Sequence, residues 1–280
     1  MPFFSIIIPT FNSRHTLQSC LTSVLQQTNQ NFEIILQDGE SCDGTRDIAL
    51  NLDDNRIHFY SEPDTGIYDA MNKAVERASG EWVLFLGSDD YLYGNTVLSD
   101  IHAELIQYNN TVDMVYGNVK IIGDTPWAKD GTIYRGEIDT PNLLNKHNYC
   151  HQAIFYHRRI FDDGHRYNLK YRICADYDFN LLCTAKYQVQ YIPTVVSSFV
   201  SGGLSSIDED ELFTQDTWTN IIRYFGSKLG NKSFFPFRKD MKKAAKVFFS
   251  RFDLYNAVVA FSLYLYHSSR KHRFIGKADF

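Results

Sequence analysis

Short apolar runs and amphipathic segments alternate along the first ninety residues. Each apolar run is bounded by turn residues, which is typical of strands buried on both faces of a sheet. Between the runs, apolar side chains recur at helical spacing, as at Leu17, Leu21 and Val24. This alternation predicts βαβ units and an α/β fold, with a mostly parallel central sheet flanked by helices. The predicted strands are residues 3–9, 32–36, 57–60 and 82–86, and the helices lie before residue 25, after residue 45 and at residues 67–78.

The later pattern predicts more strands and then a helical end. We expect strands at 113–119, 120–137 (several, joined by turns), 150–156 and 188–199, the last interrupted by Pro193. Residues 140–148 are predicted as a loop or short helix, and 179–187, 208–229, 238–250 and 254–267 as helices. A chain of 280 residues accommodates one large domain with an appendage. We therefore predict one domain over residues 1–205, in halves 1–118 and 119–205, and a helical C-terminal extension over 206–280.

Polar side chains follow each of the first four predicted strands. They are Thr10, Asp38, the segment 62–64, and the pair Asp89 and Asp90. Ligands of parallel sheets bind beyond the carboxyl ends of the strands, so we expect these groups to share one rim. Two ionised carboxylates beside a dry core repel each other unless a cation or strong donors hold them. The alternative for the Asp pair alone is an ordinary acidic turn.

Charge is distributed unevenly along the chain. The net charge is −5, which gives no reason to expect nucleic acid as a partner. Residues 236–280 hold ten Lys or Arg against three acidic residues, so this end is basic and the preceding body acidic. The asymmetry predicts that the tail meets an anionic surface. Residues 238–250 combine lysines with aromatic residues, so this helix either lies in a membrane interface or presents a solvated charged face.

Cysteine usage and hydropathy predict the compartment. The five cysteines are odd in number and widely spaced, which favours a reducing environment. The N-terminus lacks the features of a signal peptide, and no apolar run is long enough for a spanning helix. We therefore expect a cytoplasmic protein, peripheral on the inner face of the cell membrane.

Several motifs resemble one enzyme family. They are S-I-I-I-P-T-F-N, Q-D-G-E-S-C-D-G-T, D-T-G-I-Y-D-A-M-N-K-A, G-E-W-V-L-F-L-G-S-D-D and, later, H-Q-A-I-F-Y with Y-R-I-C-A-D-Y-D-F-N-L. In order and spacing they resemble the inverting family 2 glycosyltransferases of GT-A fold, in a subgroup acting on bacterial surface polysaccharides. The resemblance covers about residues 3–205. It implies a nucleotide-sugar half at 1–118 and an acceptor half at 119–205.

The resemblance implies a donor site with a metal. Ser88, Asp89 and Asp90 occupy the place of the family's D-x-D motif, with Ser at its first position. Asp90 is then the ligand of Mn²⁺ or Mg²⁺, and Asp89 contacts the ribose. Asp38 accepts from a base N–H, as uridine offers, so a UDP-sugar is the expected donor. The implied nucleotide-binding residues are Pro9, Thr10, Phe11, Asp38 and Asp89.

The resemblance also implies a catalytic base. Asp176 matches the base position, although Ala175 replaces the Glu that commonly precedes it, and Asp178 therefore remains a rival. Without the resemblance, both aspartates are explained as charges at a helix N-terminus. A base on the far side of the sugar from the leaving diphosphate gives inversion.

Two further groups are assigned to the donor and the acceptor. Asn72, Lys73 and Asp69 are assigned to the donor sugar or phosphates, with a surface i, i+4 pair between Asp69 and Lys73 as the alternative. His151 and Gln152 are assigned to the acceptor, although a hydrogen-bonded strand-end histidine is the simpler explanation of His151.

The expected function is transfer of a sugar to a lipid-linked saccharide in O-antigen or capsule synthesis. The absence of Q-x-x-R-W argues against a processive synthase. A nucleotidyltransferase is an alternative, but it would carry a G-x-G-T-R loop where this chain has Pro9-Thr10-Phe11-Asn12. A non-catalytic sugar-binding protein is the third alternative, and Asp90 and Asp176 argue against it.

Overall fold

A mixed sheet with helices on both faces forms the centre of the molecule. The computed structural model describes residues 1–134, 136–145, 147–202 and 210–270. The strands are β1 (Phe4–Thr10), β2 (Phe32–Asp38), β3 (Ile57–Ser61), β4 (Trp82–Phe85), β5 (Tyr91–Leu92), β6 (Met114–Ile122), β7 (Ile133–Tyr134), β8 (Ile154–His157) and β9 (Val189–Val200). The helices are α1 (Leu17–Leu25), α2 (Thr45–Leu50), α3 (Ile67–Val75), α4 (Val97–Gln107), α5 (Thr140–Leu144), α6 (Arg159–Asp162), α7 (Ala175–Lys186), α8 (Glu211–Phe225), α9 (Arg238–Ser250) and α10 (Leu254–Ser269).

The sheet has the strand order β3-β2-β1-β4-β8-β6-β9-β5, and β7 pairs with β6. Strands β1 to β4 are parallel to one another, and β6 and β9 are parallel. Strand β8 is antiparallel to both β4 and β6, so it begins at the edge where β1 to β4 end. The segments before β8 therefore share an edge with the turns that follow the parallel strands.

The core lies in two layers, one on each face of the sheet. In β1, Ile6 and Ile8 face α1 and α4, whereas Ile7 faces the layer that contains α3 and α7. All seven residues of β1 are buried, because successive side chains point to opposite faces and both faces are covered. This double burial accounts for the continuous apolar runs from which the strands were predicted.

The structure confirms the predicted α/β class and the helical C-terminal extension. Three details differ from prediction. Pro193 lies within the continuous strand β9, where a register shift against β6 accommodates it. The segment predicted as a strand from residue 150 begins as a 3-10 helix, His151–Ala153. Helices α4 and α6 and the two-residue strand β5 were not predicted. The boundary proposed at residues 205 and 206 lies outside the described residues.

The C-terminal helices continue the core instead of standing apart from it. Residues of α8, α9 and α10 belong to the same apolar cluster as α7, including Ile221, Phe248 and Ala260. Buried Asp216 of α8 accepts hydrogen bonds from Lys170 and from Arg251, which follows α9. In the described ranges no helix combines the length and apolar content that crossing a bilayer requires.

A buried polar cluster at the amino ends of the strands depends on Gly80. The Ser5 hydroxyl donates to Glu33 Oε1 at 2.6 Å, and the Gly80 N–H donates to Ser5 Oγ at 2.8 Å. A Cβ on Gly80 would lie 2.6 Å from the Ser5 nitrogen and 2.7 Å from the Phe4 carbonyl carbon. Both atoms belong to the backbone of β1, so they cannot move away without displacing the strand.

We predict that Gly80→Ala lowers the free energy of unfolding by about 2 kcal/mol, because the added methyl group overpacks a buried backbone contact. Gly94→Ala is the matched control, since a Cβ at Gly94 meets nothing within 4 Å. Urea denaturation of both variants measures the difference. Equal stability of the two variants would contradict the close packing at Gly80.

Candidate functional site

Asp38 organises the turns that follow β1, β2 and β3. Its Oδ1 accepts from Thr10 Oγ1 at 3.1 Å and from the Ser41 hydroxyl, while Oδ2 accepts from the Ser41 N–H at 2.9 Å and from Ser61 Oγ at 2.7 Å. The side chain is buried, and these four bonds satisfy both oxygens. In this structure Asp38 therefore holds the rim together, and its contact with a nucleotide base stays a prediction.

Phe11 is the exposed aromatic ring at this rim. It is 67% exposed, whereas Pro9 and Thr10 are buried within β1. The ring borders Gly39, where an added Cβ would lie 3.3 Å from Phe11 Cδ2 and 2.5 Å from Asp64 Oδ2. The exposed ring face, next to a glycine without a side chain, offers a surface on which a base could stack.

Asp89 and Asp90 follow β4 and both approach Gly87. A Cβ on Gly87 would lie 2.7 Å from Asp90 Oδ2 and 2.8 Å from Asp89 Oδ1, so the two carboxyl groups converge over this glycine. Asp90 is 2% exposed, and its Oδ1 accepts from the Val200 N–H at 2.8 Å. Asp89 is exposed. The pair thus presents one buried and one exposed carboxylate from adjacent positions.

The environment of Asp90 opposes its ionisation. Burial, followed by the neighbouring charge of Asp89, raises the pKa of Asp90 to about 7, although hydrogen bonds from Val200 and Gln152 act in the opposite direction. A cation would relieve both causes, because it replaces lost hydration and neutralises the repulsion. The two carboxylates therefore fit a divalent ion chemically.

The remaining ligands of such an ion would have to come from outside the protein side chains. Among the described residues no group of three His, Cys, Asp or Glu side chains is placed to hold a metal ion. Mg²⁺ is commonly bound by one or two carboxylates together with substrate phosphates and water. Asp90 and Asp89 suit a site of that kind, which a diphosphate completes.

The three α3 residues assigned to the donor have protein partners. Lys73 Nζ lies 3.1 Å from Asp69 Oδ2 and donates to the Pro63 carbonyl at 2.6 Å, so the i, i+4 pair considered as the alternative is present. Asn72 Nδ2 donates to the Tyr167 carbonyl at 3.0 Å, and Asn72 Oδ1 accepts from the Tyr167 N–H at 2.9 Å. Through these two hydrogen bonds, Asn72 holds α3 against the segment before α7. Donor contacts of these three residues stay predictions.

His151 and Gln152 lie at the rim just before β8. The His151 ring stacks on Phe85, with centroids 5.3 Å apart, and its Nε2 lies 2.8 Å from the Tyr167 hydroxyl. Burial lowers the pKa of His151 to about 4, so the ring is neutral. This agrees with the simpler explanation, a hydrogen-bonded histidine. Gln152 hydrogen-bonds to Asp90 and so supports the metal-site candidate, while acceptor contacts of both residues stay predictions.

Asp176 lies in the first turn of α7 and faces α3. The Tyr68 hydroxyl donates to Oδ1 at 3.0 Å, and Asn148 Nδ2 donates to Oδ2 at 2.9 Å. Asn180 Nδ2 donates to Asn148 Oδ1 at 2.8 Å, which fixes the Asn148 amide with its NH₂ toward Asp176. Burial raises the pKa of Asp176 to about 6, against these donors. Asp176 is thus a carboxyl group suited to accepting a proton near neutral pH.

Asp178 lies on the opposite side of α7 and faces α8. Its Oδ1 accepts from Asn220 Nδ2 at 2.8 Å, and Oδ2 accepts from the Tyr224 hydroxyl at 3.0 Å. Burial raises the pKa of Asp178 to about 6. Asn220 and Tyr224 both belong to α8, so Asp178 joins two helices. The geometry favours Asp176 over Asp178 as the base.

A row of contacts connects the carboxyl groups of Asp90 and Asp176. Gln152 bonds to Asp90, and the adjacent His151 bonds to Tyr167. The Tyr167 ring packs on Tyr68, with centroids 5.4 Å apart, and Tyr68 reaches Asp176. Sequence reasoning missed Tyr68, Asn148 and Tyr167 as site residues. Tyr68 lies inside the quoted D-T-G-I-Y-D motif, which was the one available signal.

Comparison with known proteins supplies a family and a fold. The model of "Glycosyl transferase family 2" matches residues 5–164. A Mycobacterium tuberculosis protein named PGL/p-HBAD biosynthesis glycosyltransferase is 43% identical over 218 residues, covering 76% of this chain and 82% of that protein. The Escherichia coli UDP-Glc:alpha-D-GlcNAc-diphosphoundecaprenol beta-1,3-glucosyltransferase WfgD is 37% identical over 121 residues, covering 43% of this chain and 47% of WfgD.

Solved structures share the fold at low identity. S. aureus TarS 1–349 in complex with UDP-GlcNAc has a TM-score of 0.61 and 16% identity, covering 98% of this chain and 92% of that one. The mannosyltransferase PcManGT from Pyrobaculum calidifontis, in complex with GDP-Man and Mn²⁺, has a TM-score of 0.54 and 15% identity, covering 100% of this chain and 76% of that one. These likenesses confirm the predicted GT-A fold.

The raised pKa of Asp90 has a consequence for stability. The folded state keeps this proton up to about pH 7, whereas the ordinary pKa of 3.8 applies to the unfolded chain. The free energy of unfolding therefore falls as pH rises from about 4 to about 7 and then stays low.

We predict that Asp90→Asn, which cannot ionise, is more stable than the parent protein by about 2 kcal/mol at pH 8 with chelator present, and gains nothing near pH 4. Denaturant unfolding at both pH values measures this. Asp162→Asn is the control, because that side chain is 60% exposed. A gain of equal size at pH 4 would show that the charge of Asp90 is not its cause.

Proposed function

The chain belongs to glycosyl transferase family 2, and from this premise we propose which sugar transfer it performs and with which residues. As a glycosyltransferase of bacterial glycan synthesis, it moves a sugar from a nucleotide-sugar donor, expected to be UDP-linked, to a lipid-linked saccharide. The transfer inverts the anomeric centre. One observation carries the proposal. Asp90 and Asp176 are two carboxyl groups whose pKa burial raises, and the row of contacts through Gln152 and Tyr167 connects them.

The donor lies across the carboxyl ends of β1, β2 and β4. The base stacks on Phe11, within the turns that Asp38 holds, and Asp89 contacts the ribose. UDP is the expected nucleotide on two grounds. The resemblance pairs Asp38 with a uracil N–H, which requires one of its present donors, such as the Ser61 hydroxyl, to turn away. TarS and WfgD carry UDP-GlcNAc and UDP-Glc in their descriptions.

A divalent ion held by Asp90, with the Asp89 carboxylate beside it, would neutralise the charge that develops on the leaving diphosphate. The protein's own contribution is to hold Asp90 in one position. Val200 and Gln152 donate to its carboxylate, which leaves Asp90 Oδ2 directed over Gly87 with Asp89 Oδ1. PcManGT, described with Mn²⁺, supports this assignment.

Asp176 acts as the base toward the acceptor hydroxyl. The Tyr68 oxygen lies 3.0 Å from Asp176 Oδ1 and 2.6 Å from the Ile173 carbonyl, but tyrosine has one hydroxyl proton. While Asp176 is ionised, Tyr68 donates to it. Once Asp176 has taken the acceptor proton, Tyr68 turns its own proton to Ile173 and accepts from Asp176. The hydroxyl thus supports both protonation states of the base.

The acceptor is expected to carry a lipid diphosphate. WfgD, by its description, glucosylates GlcNAc linked to diphosphoundecaprenol, and the M. tuberculosis relative belongs to PGL/p-HBAD biosynthesis. The WfgD description is the one of these two that names a lipid diphosphate acceptor. We propose O-antigen or capsule assembly as the setting for this chain.

We predict that a UDP-sugar with Mn²⁺ raises the melting temperature by roughly 5 °C at saturating concentration, because a ligand that binds only the folded state stabilises it. A thermal-shift screen of UDP-, GDP- and dTDP-sugars, with and without chelator, measures this. Asp90→Asn should lose the Mn²⁺-dependent part of the shift, whereas Asp162→Asn should keep it. A shift unchanged by chelator and by Asp90→Asn would refute the metal role, and no shift with any donor would refute the donor site.

We predict that Asp176→Asn slows sugar transfer by about 10²- to 10⁴-fold, as expected for loss of a general base. The donor-induced melting shift should persist, because Asp176 does not contact the donor diphosphate in this proposal. Asp178→Asn is the matched control, two residues away on the same helix, and should change the rate far less. The opposite ranking of the two variants would assign the base to Asp178.

We further predict that kcat/KM rises with pH through about 6, because the base must be unprotonated and burial raises the pKa of Asp176 to about 6. Initial rates between pH 4.5 and 8.5 measure this rise of kcat/KM.

Proton NMR of the product should show a β-linkage from an α-linked donor. A product with retained α configuration would exclude direct displacement assisted by Asp176.

A further inference from the structure

Helix α10 is apolar on both of its sides. Its inner side, with Ala257, Ala260 and Leu263, packs against α8 and α9 in the core. Its outer side carries Leu254, Val258, Phe261 and Leu265 at helical spacing. The helix contains no Asp, Glu, Lys or Arg. A helix that is hydrophobic all round is normally covered on every side.

The outer side of α10 is exposed in the described part of the molecule. Val258 is 64% exposed, and Phe252, in the turn that joins α9 to α10, is 89% exposed. We call this surface the α10 outer face. It consists of Phe249, Phe252, Leu254, Tyr255, Val258, Phe261 and Leu265, each about half exposed or more. Contiguous apolar patches of this kind mark interaction sites in soluble domains.

Lysines of α9 lie beside the α10 outer face. Lys239, Lys242, Lys243 and Lys246 are exposed on α9, on the side that also carries Phe249. Lys242 Nζ lies 5.0 Å from the centroid of Tyr264, which places its charge against α10. At the same, C-terminal end of α10, the Arg270 guanidinium lies 4.3 Å from the Tyr266 centroid. The apolar surface is thus bordered by positive charge.

We propose that the α10 outer face docks on an anionic membrane, with its apolar side chains in the interface and the α9 lysines at lipid phosphates. Apolar and aromatic side chains flanked by lysine match that boundary, where lipid tails meet negative headgroups. A second copy of the chain fits less well. A second copy of this face would offer the α9 lysines no carboxylate partner from α10, because α10 contains no Asp or Glu.

The proposal refines the earlier expectation for the tail. From the sequence, the helix over residues 238–250 was the membrane candidate, because it combines lysines and aromatics. The structure packs Met241, Ala244 and Phe248 of that helix in the core. The apolar contact is instead assigned to α10, the preceding turn and Phe249 near the end of α9, while the lysines of α9 supply charge. Membrane docking would bring the protein to a lipid-linked acceptor, and this role rests on the proposed function. Membrane binding itself does not depend on that function.

Co-sedimentation tests the surface without donor or acceptor. The intact chain should pellet with vesicles of phosphatidylcholine and phosphatidylglycerol, less with phosphatidylcholine alone, and less as salt is raised. Val258→Asp should lower the partition coefficient roughly tenfold or more, because it places a charge in the apolar contact. Lys242→Glu with Lys246→Glu should weaken binding to the anionic vesicles.

Matched controls are exposed residues elsewhere. Ile106→Asp on α4 changes a side chain that is 61% exposed, and Lys129→Glu changes a lysine that is 82% exposed. Neither should alter vesicle binding. Val258→Asp should keep the donor-induced melting shift, which separates a failure of docking from a failure of the proposed function.

Three results would overturn the proposal. The first is an intact chain that binds no vesicles, and the second is a Val258→Asp variant that binds as the Ile106→Asp control does. The third is a dimer in light scattering that Val258→Asp dissociates while vesicles are not bound. That result would assign the face to a second copy.

Discussion

A carboxylate buried where a strand ends needs hydrogen-bond donors, and those of Asp90 come from two distant parts of the chain. Val200 donates from the end of β9, and Gln152 bonds from just before β8. One side chain therefore joins the turn after β4 to two segments of the later half. Burial and the charge of Asp89 nevertheless keep its proton affinity high. Hydrogen bonds fix the Asp90 carboxyl group in place, but its ionised form is destabilised by burial and by Asp89. Such a cost in stability is expected at a functional site.

The reversed strand β8 makes this meeting possible. Because β8 runs antiparallel to β4, its first residues lie where β4 ends. A parallel strand in that place would put Gln152 and His151 at the opposite edge, far from Asp90. The stacked rings of His151 and Phe85 then fix the segment against β4. Strand direction, more than any local motif, brings the later half of the chain to the rim where β1, β2 and β4 end.

The strands and helices of the first ninety residues could be predicted because double burial and amphipathicity leave local patterns. Strand β5 left none: it has two residues, and it forms only by pairing with Ser197 and Ser198. The same limit applies to the site. Motifs led to Asp90 and Asp176, and the partners of these carboxylates could not be read from them. The Tyr68 contact with Asp176 spans 108 residues, so it depends on how α3 and α7 pack. The place of Gln152 beside Asp90 was likewise not predicted, and its contact with the acceptor stays a prediction.

Helix α7 connects the chemistry to the C-terminal helices. Asp176 and Asp178 are two residues apart, about 200° around the helix axis, so one faces α3 and the other α8. The bonds of Asp178 to Asn220 and Tyr224 hold α8 against the turn that carries the proposed base. Helices α9 and α10 pack in turn on α8. The α10 outer face is therefore connected through α8 to the helix that carries the proposed base. A membrane bound at this face would orient the rim relative to the bilayer.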